Sequence, residues 1–465
     1  MDEAAPNPEC PGCQALLKRV ASLERRIAEL EELLGKNSSN SNRPPSSDSP
    51  RDRASRPSRP PSGRKPGGQP GHEAHMRRLV PAEQVTRRER HDPRRCRRCG
   101  MSLRTGRRLR PLIHQVVEIP EIVPDVTEHV LGRRRCGHCD TVTTARLPLG
   151  VPRGMCGPRL SALVAYVTGH MRVSRRMAME FLGDVLHVPL ALGTVSNVEA
   201  TIGDALEEPH SEALACVQRA RVKHLDATSW SRSGEPSTLW TFACRVATVF
   251  VITANATTPT VRGLVGAVRG TLVTDRASVF GFWAMEQRQI CWAHLTRRFV
   301  AFAESPQEAV RSLGNALLLL TQAHLQEWHS FQAGKQTRAG LQRMVERIEP
   351  LVLFHLERGV DMRRRGVSGS CQDILDHKKA LFTYAFTHGV PPTNNHAERE
   401  LRAPVLWRKQ TAGTRSERGD RFAERILTVV HTLRKQGRHV LSYLEHAYVA
   451  ALRGERSPAL MPDGP

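Results

Sequence analysis

The sequence predicts a multidomain α+β protein in which helical segments flank a region of alternating strands and helices. Three observations support this fold class. A heptad repeat of apolar residues begins near residue 14, and two C-x-x-C pairs follow a strongly basic segment. Strand-like runs then alternate with helical ones between residues 220 and 300. The 465 residues are enough for about three domains.

The composition points to a polyanionic partner. Lys and Arg number 69 against 46 Asp and Glu, which gives a formal net charge of +23. Basic chains bind nucleic acids because each neutralised phosphate releases a counterion. No apolar run approaches the ~18 residues that cross a bilayer, and the first residues lack a secretory pattern. We therefore expect a DNA-facing, cytoplasmic protein without a membrane partner.

Residues 1–36 are predicted to form a coiled-coil oligomerisation segment. Apolar residues there are spaced alternately four and three apart, with charged residues between them, as in parallel two-stranded coiled coils. The positions are Leu16, Val20, Leu23, Ile27, Leu30 and Leu34. This pattern predicts a homodimer or a higher oligomer. The alternative is an amphipathic helix that packs on its own protein.

Residues 37–78 are predicted to be a disordered basic linker. Asn, Ser, Pro, Gly and Arg dominate this segment, so it can bury too little apolar surface to offset the entropy of ordering. Residues 51–110 hold 19 Lys or Arg against 5 Asp or Glu. Because few acids balance this charge, phosphate binding is favoured over an ordinary solvated charge run.

Residues 79–150 are predicted to form a zinc-binding ribbon. Four cysteines lie in two C-x-x-C pairs that 36 residues separate: Cys96, Cys99, Cys136 and Cys139. Each pair lets two thiolates of one tight turn reach the same tetrahedral ion, and short strands are expected at 114–123. Four thiolates leave no open position, so this zinc is structural. Cys10 and Cys13 are a third pair, which either binds metal across a dimer or has no ligand role.

The rest of the chain is predicted to be helical on both sides of a sheet. The helical region at 151–215 is either a DNA-docking unit or an ordinary helical subdomain. A catalytic domain is predicted at 216–430, and a C-terminal helix and tail at 431–465. The strand-like runs of the 216–430 domain are 222–225, 239–245, 249–254, 271–274 and 289–293. Four of the six tryptophans fall between 220 and 300, which indicates a well-packed core.

Three carboxylates could carry chemistry. Asp226 and Asp275 each end a strand-like run, and Glu398 falls in the first turn of a helix that begins after Pro391. Such a set suits Mg²⁺ or Mn²⁺, and a pair of ions can stabilise the attacking and leaving oxygens of phosphoryl transfer.

Each carboxylate also has a structural interpretation. Asp226 could be a turn residue, and Asp275 could cap a helix at 276–285. Glu398 could form a capping box with Asn395 or a salt bridge with Arg402.

The sequence also resembles the insertion-sequence-66 family of bacterial transposases. Motifs typical of that family follow one another along nearly the whole chain. They are Lys36-Asn37-Ser38-Ser39-Asn40-Ser41-Asn42, Gly67-Gly68-Gln69-Pro70-Gly71-His72, the paired C-x-x-C region, Gly157-Pro158-Arg159-Leu160, His224-Leu225-Asp226, Leu272-Val273-Thr274-Asp275, Cys291-Trp292-Ala293-His294-Leu295 and Thr393-Asn394-Asn395-His396-Ala397-Glu398-Arg399.

The resemblance implies an α/β ribonuclease H-like catalytic core with a DDE triad at Asp226, Asp275 and Glu398. It also implies a helical insertion at about 300–390, accessory transposition proteins and a bacterial, nucleoid-associated location. Two positions depart from the family. Ala227 stands where a Glu is typical, and Arg276-Ala277 where Gly-Tyr is common.

The expected function is a DDE transposase that cleaves the ends of an insertion sequence and joins them to target DNA by two-metal phosphoryl transfer. Four basic residues on or after the Glu398 helix are expected to bind DNA: Arg399, Arg402, Arg408 and Lys409. His294 either flanks the site or is a core histidine, and Cys291 and Trp292 are expected in a core strand. The alternatives are a non-catalytic zinc-containing DNA-binding protein, an inactive transposase remnant, or a nuclease without strand joining.

Overall fold

The computed structural model describes residues 11–34, 79–104 and 107–462. The chain divides into two compact units, Ala54–Pro124 and a larger one that comprises Met1–Arg53 and Asp125–Pro465. Each unit is described by itself below. The predicted linker at 37–78 and Cys10 lie outside the described residues.

The smaller unit contains a short 3₁₀ helix, Ala82–Gln84, and a tight turn that carries the first cysteine pair. Gln115 joins two parts of this unit, because its side-chain amide exchanges hydrogen bonds of 2.7 and 3.0 Å with the backbone of Val80. Residues 114–123 have no strand, so the strands predicted there are wrong.

The larger unit begins with helix α1, Pro11–Leu34, which confirms the predicted N-terminal helix. Its four described heptad side chains, Leu16, Val20, Leu23 and Ile27, are exposed, with Leu16 at 64% and Leu23 at 56% of their full accessible surface. A two-stranded antiparallel hairpin follows, with β1 at Arg133–Arg135 and β2 at Val142–Thr144. This hairpin flanks the second cysteine pair.

Four helices lie between the β1–β2 hairpin and the main sheet, in the region that the apolar spacing predicts to be helical. They are α2 (Pro158–Ala165), α3 (Arg175–Leu186), α4 (Leu192–Ala205) and α5 (Glu207–Arg219). A π-helical turn, Tyr166–His170, extends α2. Ser174 caps α3 by accepting a hydrogen bond from the Met177 amide at 3.2 Å.

The main sheet has five strands in the order β5-β4-β3-β6-β7. They are β3 (Val222–Arg232), β4 (Glu235–Ala243), β5 (Thr248–Thr253), β6 (Thr271–Thr274) and β7 (Arg288–Ile290). β3, β4 and β5 form an antiparallel meander, and β6 and β7 add parallel strands on the other side of β3. Helix α6 (Thr258–Val265) connects β5 to β6. All five strands were predicted, β6 with the observed ends and the other four with different ones.

The region after β6 differs from the prediction. A helix was expected at 276–285, but two 3₁₀ turns, Ser278–Phe280 and Met285–Gln287, stand there. Cys291 and Trp292 were expected in a core strand. They are fully buried, but β7 ends at Ile290 and Trp292 is the first residue of a helix.

A group of helices follows β7 and packs against one side of the sheet. They are α7 (Trp292–Ala303), α8 (Glu308–Gln332), α9 (Arg338–Asp361), α10 (Ser368–Asp376) and the short α11 (Thr383–Phe386), with a 3₁₀ turn at Lys378–Ala380. α7 and α8 approach closely at Gly314, where a Cβ would overlap the backbone of Ala303.

Two hydrophobic cores lie against the sheet. Leu272 of β6 belongs to the core that includes α2–α5 and the C-terminal helices, whereas the next residue, Val273, belongs to the core of α7–α11. Successive residues of a strand point to opposite faces, so β6 contributes to both cores.

Three helices complete the larger unit: α12 (Asn395–Thr411), α13 (Glu417–Lys435) and α14 (Val440–Arg453). The chain after α12 bonds to the end of β3, because the Thr414 amide donates to the Ser231 carbonyl at 2.9 Å. Gly413 has a φ of +98°, and a Cβ there would overlap the Ser231 carbonyl. Only glycine fits this close approach without strain.

Candidate active site

Asp226 lies on β3, and Asp275 directly follows the neighbouring parallel strand β6. β3 pairs with β6 from Val222 opposite Thr271 to His224 opposite Val273, and the same register continued by two residues sets Asp226 level with Asp275. Asp226 was expected to end its strand. Instead β3 continues to Arg232, so Asp226 lies inside it.

The structural interpretations of these aspartates find little support. Asp226 is not a turn residue, and the Asp275 carboxylate accepts a hydrogen bond from the Ala277 amide at 2.9 Å without starting a helix. Both side chains are half-buried. The two carboxylates therefore stand at the same edge of the sheet without a strong cation contact of their own.

Glu398 reaches the site from the first turn of α12. Its carboxylate contacts two residues of α7, His294 Nδ1 at 3.7 Å and Arg297 at 3.5 Å. The predicted salt bridge with Arg402 is absent from these contacts, and Arg402 is exposed. The predicted capping box is also wrong, because α12 has Asn394 rather than Asn395 as its N-cap and no side chain caps it.

Asn394 holds the start of α12 against β3. It is 1% exposed, its Nδ2 donates to the Leu225 carbonyl at 3.0 Å, and its Oδ1 lies 3.1 Å from His224 Nδ1. Its backbone amide donates to Cys291 Sγ at 3.1 Å. These bonds join three elements: β3, the start of α7 and the start of α12. They set the position of Glu398 relative to Asp226.

The site electrostatics show that the three carboxylates act on one another. Burial raises the pKa of Asp226 to about 7, and the negative charges of Asp275 and Glu398 add to that effect. The Ala227 amide and the Arg297 guanidinium partly oppose it. A cation that joined the site would favour the ionised form of this carboxyl group.

His294 and Glu398 are left with unused polar atoms. His294 Nδ1 and Glu398 Oε1 are buried and have no hydrogen-bond partner. Together with Cys291 Sγ, one ligand atom from each residue lies within 4.8 Å of the others. Burial lowers the pKa of His294, against the charges of Glu398 and Asp275. A neutral imidazole and a carboxylate are suitable ligands for a divalent cation.

A polar cavity of about 380 Å³ opens beside this cluster. Its walls include Asp275, His294, Arg298 and Asp373. Arg276 closes one side through an ion pair with Asp373 at 2.7 Å. The cavity gives a solvent-accessible space next to Asp275 and the α7 face.

Sequence reasoning left the role of His294 open and missed Arg297. Both lie on α7, three residues apart, so they share the helix face that meets α12. The available signal was this i, i+3 spacing directly after Trp292. What the sequence lacked was the packing partner, since Glu398 is 101 residues from Arg297 along the chain.

The four predicted DNA-binding residues have different surroundings. Arg399, Arg402 and Lys409 are exposed on α12. Arg408 is half-buried and donates to Thr228 Oγ1 at 3.1 Å, and it also bonds to Ser229. Arg408 therefore joins α12 to β3 through hydrogen bonds.

The two C-x-x-C pairs adopt the same turn in their separate units. The amide of the first cysteine donates to the carbonyl five residues later, Met101 in one turn and Thr141 in the other, at 2.8 and 2.9 Å. The fourth residue after that cysteine has a left-handed backbone, with φ of 73° at Gly100 and 60° at Asp140. All four cysteines are free thiols.

The thiols of these turns are partly activated by local hydrogen bonds. Backbone amides of Cys99 and Arg98 lower the pKa of Cys96, and Thr141 lowers the pKa of Cys139. A lower pKa favours the thiolate, which is the form that binds metal. Cys13 lies on α1 as a free, partly exposed thiol.

A comparison with protein-family models gives a decisive match. The model of the transposase IS66 family spans residues 153–421, which is more than half of the chain. The chain belongs to the IS66 transposase family. A second model, a family of unknown function (DUF6444), matches residues 11–78. No curated protein is similar enough to match the chain.

Family membership supports a transposase role and therefore a DNA-processing enzyme. The matched IS66 region contains the three carboxylates, α7 and α12, and it leaves out the cysteine turns. Among the described residues, no helix combines the length and the apolar character that crossing a membrane requires.

Proposed function

We propose that this IS66-family member is a DDE transposase that cleaves the ends of a bacterial insertion sequence and joins them to target DNA. The observation that carries the proposal is the convergence of Asp226, Asp275 and Glu398 from β3, β6 and α12. The strand order, with three antiparallel and two parallel strands, supports the ribonuclease H-like core that the sequence resemblance implies.

The residues fit a divalent-metal site. Glu398 Oε1 and His294 Nδ1 are buried without a hydrogen-bond partner, and the three carboxylates lack enough cationic partners for their charge. Asp226, Asp275 and Glu398 would hold the Mg²⁺ or Mn²⁺ ions of this site. When bound, the ions would supply charge stabilisation to the attacking and leaving oxygens of a phosphodiester.

The chain's own residues prepare this site. Arg297 holds the Glu398 carboxylate from α7, and Asn394 fixes the start of α12 on β3. Arg399, Arg402 and Lys409 are exposed on the same helix as Glu398 and would contact DNA phosphates. Positioning and charge supply most of the catalysis in phosphoryl transfer.

The other predicted parts belong to the same proposal. Cys96, Cys99, Cys136 and Cys139 would bind one structural zinc ion, which the matching turns support. The heptad face of α1, whose described residues Leu16, Val20, Leu23 and Ile27 are exposed, would form a coiled coil in a homodimer or a higher oligomer. Accessory transposition proteins and association with the bacterial nucleoid remain expectations from the family resemblance.

The proposal is tested by Mg²⁺-dependent cleavage of duplexes that carry the inverted repeats flanking the gene. Asp226→Asn should lower the cleavage rate by on the order of 10³-fold while DNA binding persists. Asp361→Asn is the matched control, because Asp361 is an exposed residue at the end of α9, and it should cleave normally.

Two outcomes would contradict the proposal. Unchanged cleavage by Asp226→Asn would remove the triad, and a wild-type protein that binds but never cleaves would indicate a non-catalytic DNA-binding protein or an inactive remnant. A strand-transfer assay with pre-nicked ends separates a transposase from a simple nuclease, since only the transposase gives joined product.

A further inference from the structure

A second cavity lies at the opposite end of α12 from Glu398. Its volume is about 260 Å³, and residues from the start of α3, from α4, from the end of α12 and from the start of α13 line it. Thr411 marks the end of α12. At 1.5 Å per residue, it lies about 20 Å along the helix from Glu398.

Positive charge dominates the lining of this cavity. Four arginines line it, and Glu199 is the one acidic residue among the lining residues. The arginines are Arg172, Arg175, Arg415 and Arg418. Glu199, whose side chain is 8% exposed, is bound by Arg175 at 2.5 and 2.8 Å. Three guanidinium groups therefore remain without a carboxylate inside the cavity.

Arg172 has an unsatisfied donor. Its Nε atom is buried and has no hydrogen-bond partner, and a guanidinium N–H can only donate. Its backbone is left-handed, with a φ of 62° two residues after the π-helical turn. Such a conformation is uncommon for a side chain of this kind and persists where the surroundings enforce it. An acceptor from outside the chain would complete this group.

The surroundings add to the positive potential. α3 begins at the cavity, and its first turn holds no acidic residue, so the partial positive charge of a helix start is not cancelled. The acids at the start of α13 are engaged elsewhere. Asp420 is 3% exposed and bonds to Arg232 and Thr414, and Glu417 lies 3.8 Å from both Arg232 and Arg421.

We propose that this cavity binds a backbone phosphate of the DNA on which the enzyme acts. This inference rests on the proposed transposase function and adds a second contact to it. Guanidinium groups match the geometry of phosphate oxygens. A separation of about 20 Å corresponds to about six nucleotide steps of 3.4 Å. The exposed Arg402 and Lys409 lie two helical turns apart between the two sites.

The test measures the affinity of the full-length protein for a 30-base-pair duplex over a range of KCl concentrations, without Mg²⁺. Arg418→Gln should reduce the slope of log affinity against log salt by about 0.9, which lowers affinity about fivefold at 0.15 M KCl. Arg172→Gln should do the same. Arg421→Gln is the matched control on the same helix, half-exposed and outside the cavity lining, and should keep the wild-type slope.

The outcomes separate the possibilities. An unchanged slope in Arg418→Gln, or an equal loss in Arg421→Gln, would overturn the inference. Arg418 is an exposed residue whose side chain bonds to Ser196 at 3.0 Å, so its replacement leaves the core intact even if Arg172→Gln fails to fold. If the arginine variants keep the wild-type slope for DNA but lose binding of inorganic phosphate, the cavity would be assigned to free phosphate. If they lose binding of polyglutamate instead, the cavity would be assigned to an acidic peptide.

The same data keep this inference apart from the proposed catalysis. Binding is measured without Mg²⁺, so the slope is obtained without cleavage. A protein that never cleaves DNA but loses slope in Arg418→Gln would leave the phosphate site standing and remove the catalytic proposal. If the wild-type protein cleaves DNA but Arg418→Gln keeps the wild-type slope, the catalytic proposal would stand and the phosphate site would be removed.

Discussion

Replacing Asn394 tests how the active site is assembled. The side chain is 1% exposed and forms two buried hydrogen bonds, to the Leu225 carbonyl at 3.0 Å and with His224 at 3.1 Å. Burial lowers the pKa of His224 to about 3, so this imidazole is neutral. Because Asn394 Nδ2 donates to Leu225, its Oδ1 must accept, and His224 Nδ1 carries the proton.

The expected loss follows from these contacts. Each buried hydrogen bond contributes about 1 kcal/mol, and the groups left without a partner add a desolvation cost. Asn394→Ala should therefore lower the free energy of unfolding by about 2–3 kcal/mol. With a urea m-value of about 3 kcal/mol/M, the unfolding midpoint should fall by about 1 M. All six tryptophans lie in the larger unit, so their fluorescence follows this transition.

The neighbouring asparagine provides the control. Asn395 is exposed at the first position of α12, so Asn395→Ala makes the same chemical change outside the buried network. It should shift the midpoint by no more than about 0.2 M. Equal shifts for Asn394→Ala and Asn395→Ala would refute the argument that these bonds hold α12 on β3.

Two further predictions concern the N-terminal parts. Protein purified without chelator should contain about one zinc per chain by elemental analysis. Cys136→Ser should lose that zinc and Cys216→Ser should keep it; zinc retained by Cys136→Ser would contradict the four-cysteine site. Replacing Leu23 and Ile27 together by Glu should convert the oligomer into a monomer in light scattering, because charge at a and d positions disrupts a coiled coil. Glu24→Ala, a substitution outside the heptad positions, is the control and should keep the wild-type mass. An unchanged mass for the double Glu variant would contradict the coiled coil.

Local pattern was enough to predict where the five strands of the main sheet and most helices lie. The short run Thr271–Thr274, with Leu and Val at its centre, was identified with the observed ends. β3 was predicted too short because residues after Leu225 are polar on one face, and only its pairing with β4 makes them a strand. The turn between them has left-handed residues at Ser233 and Gly234, which the sequence pattern alone did not reveal.

The remaining errors arise where distant residues decide the structure. Asn395 and Glu398 have capping-box spacing, yet the buried bonds of Asn394 to β3 determine how α12 begins. Asp275 was expected to start a helix, but the chain that follows packs as two 3₁₀ turns, with Phe280 buried in the core. The role of Arg297 depends on a contact with α12 that no local spacing encodes.

α12 is attached to β3 at its start, through Asn394, near its end, through Arg408, and just beyond it, through Thr414. Helix residues are related by about 100° of rotation, and both ends of this rod are fixed. Insertion of one residue between 399 and 407 would therefore turn the Glu398 carboxylate away from Asp226 or break the far attachment. Natural relatives should vary in the exposed residues of this helix and hardly at all in its length.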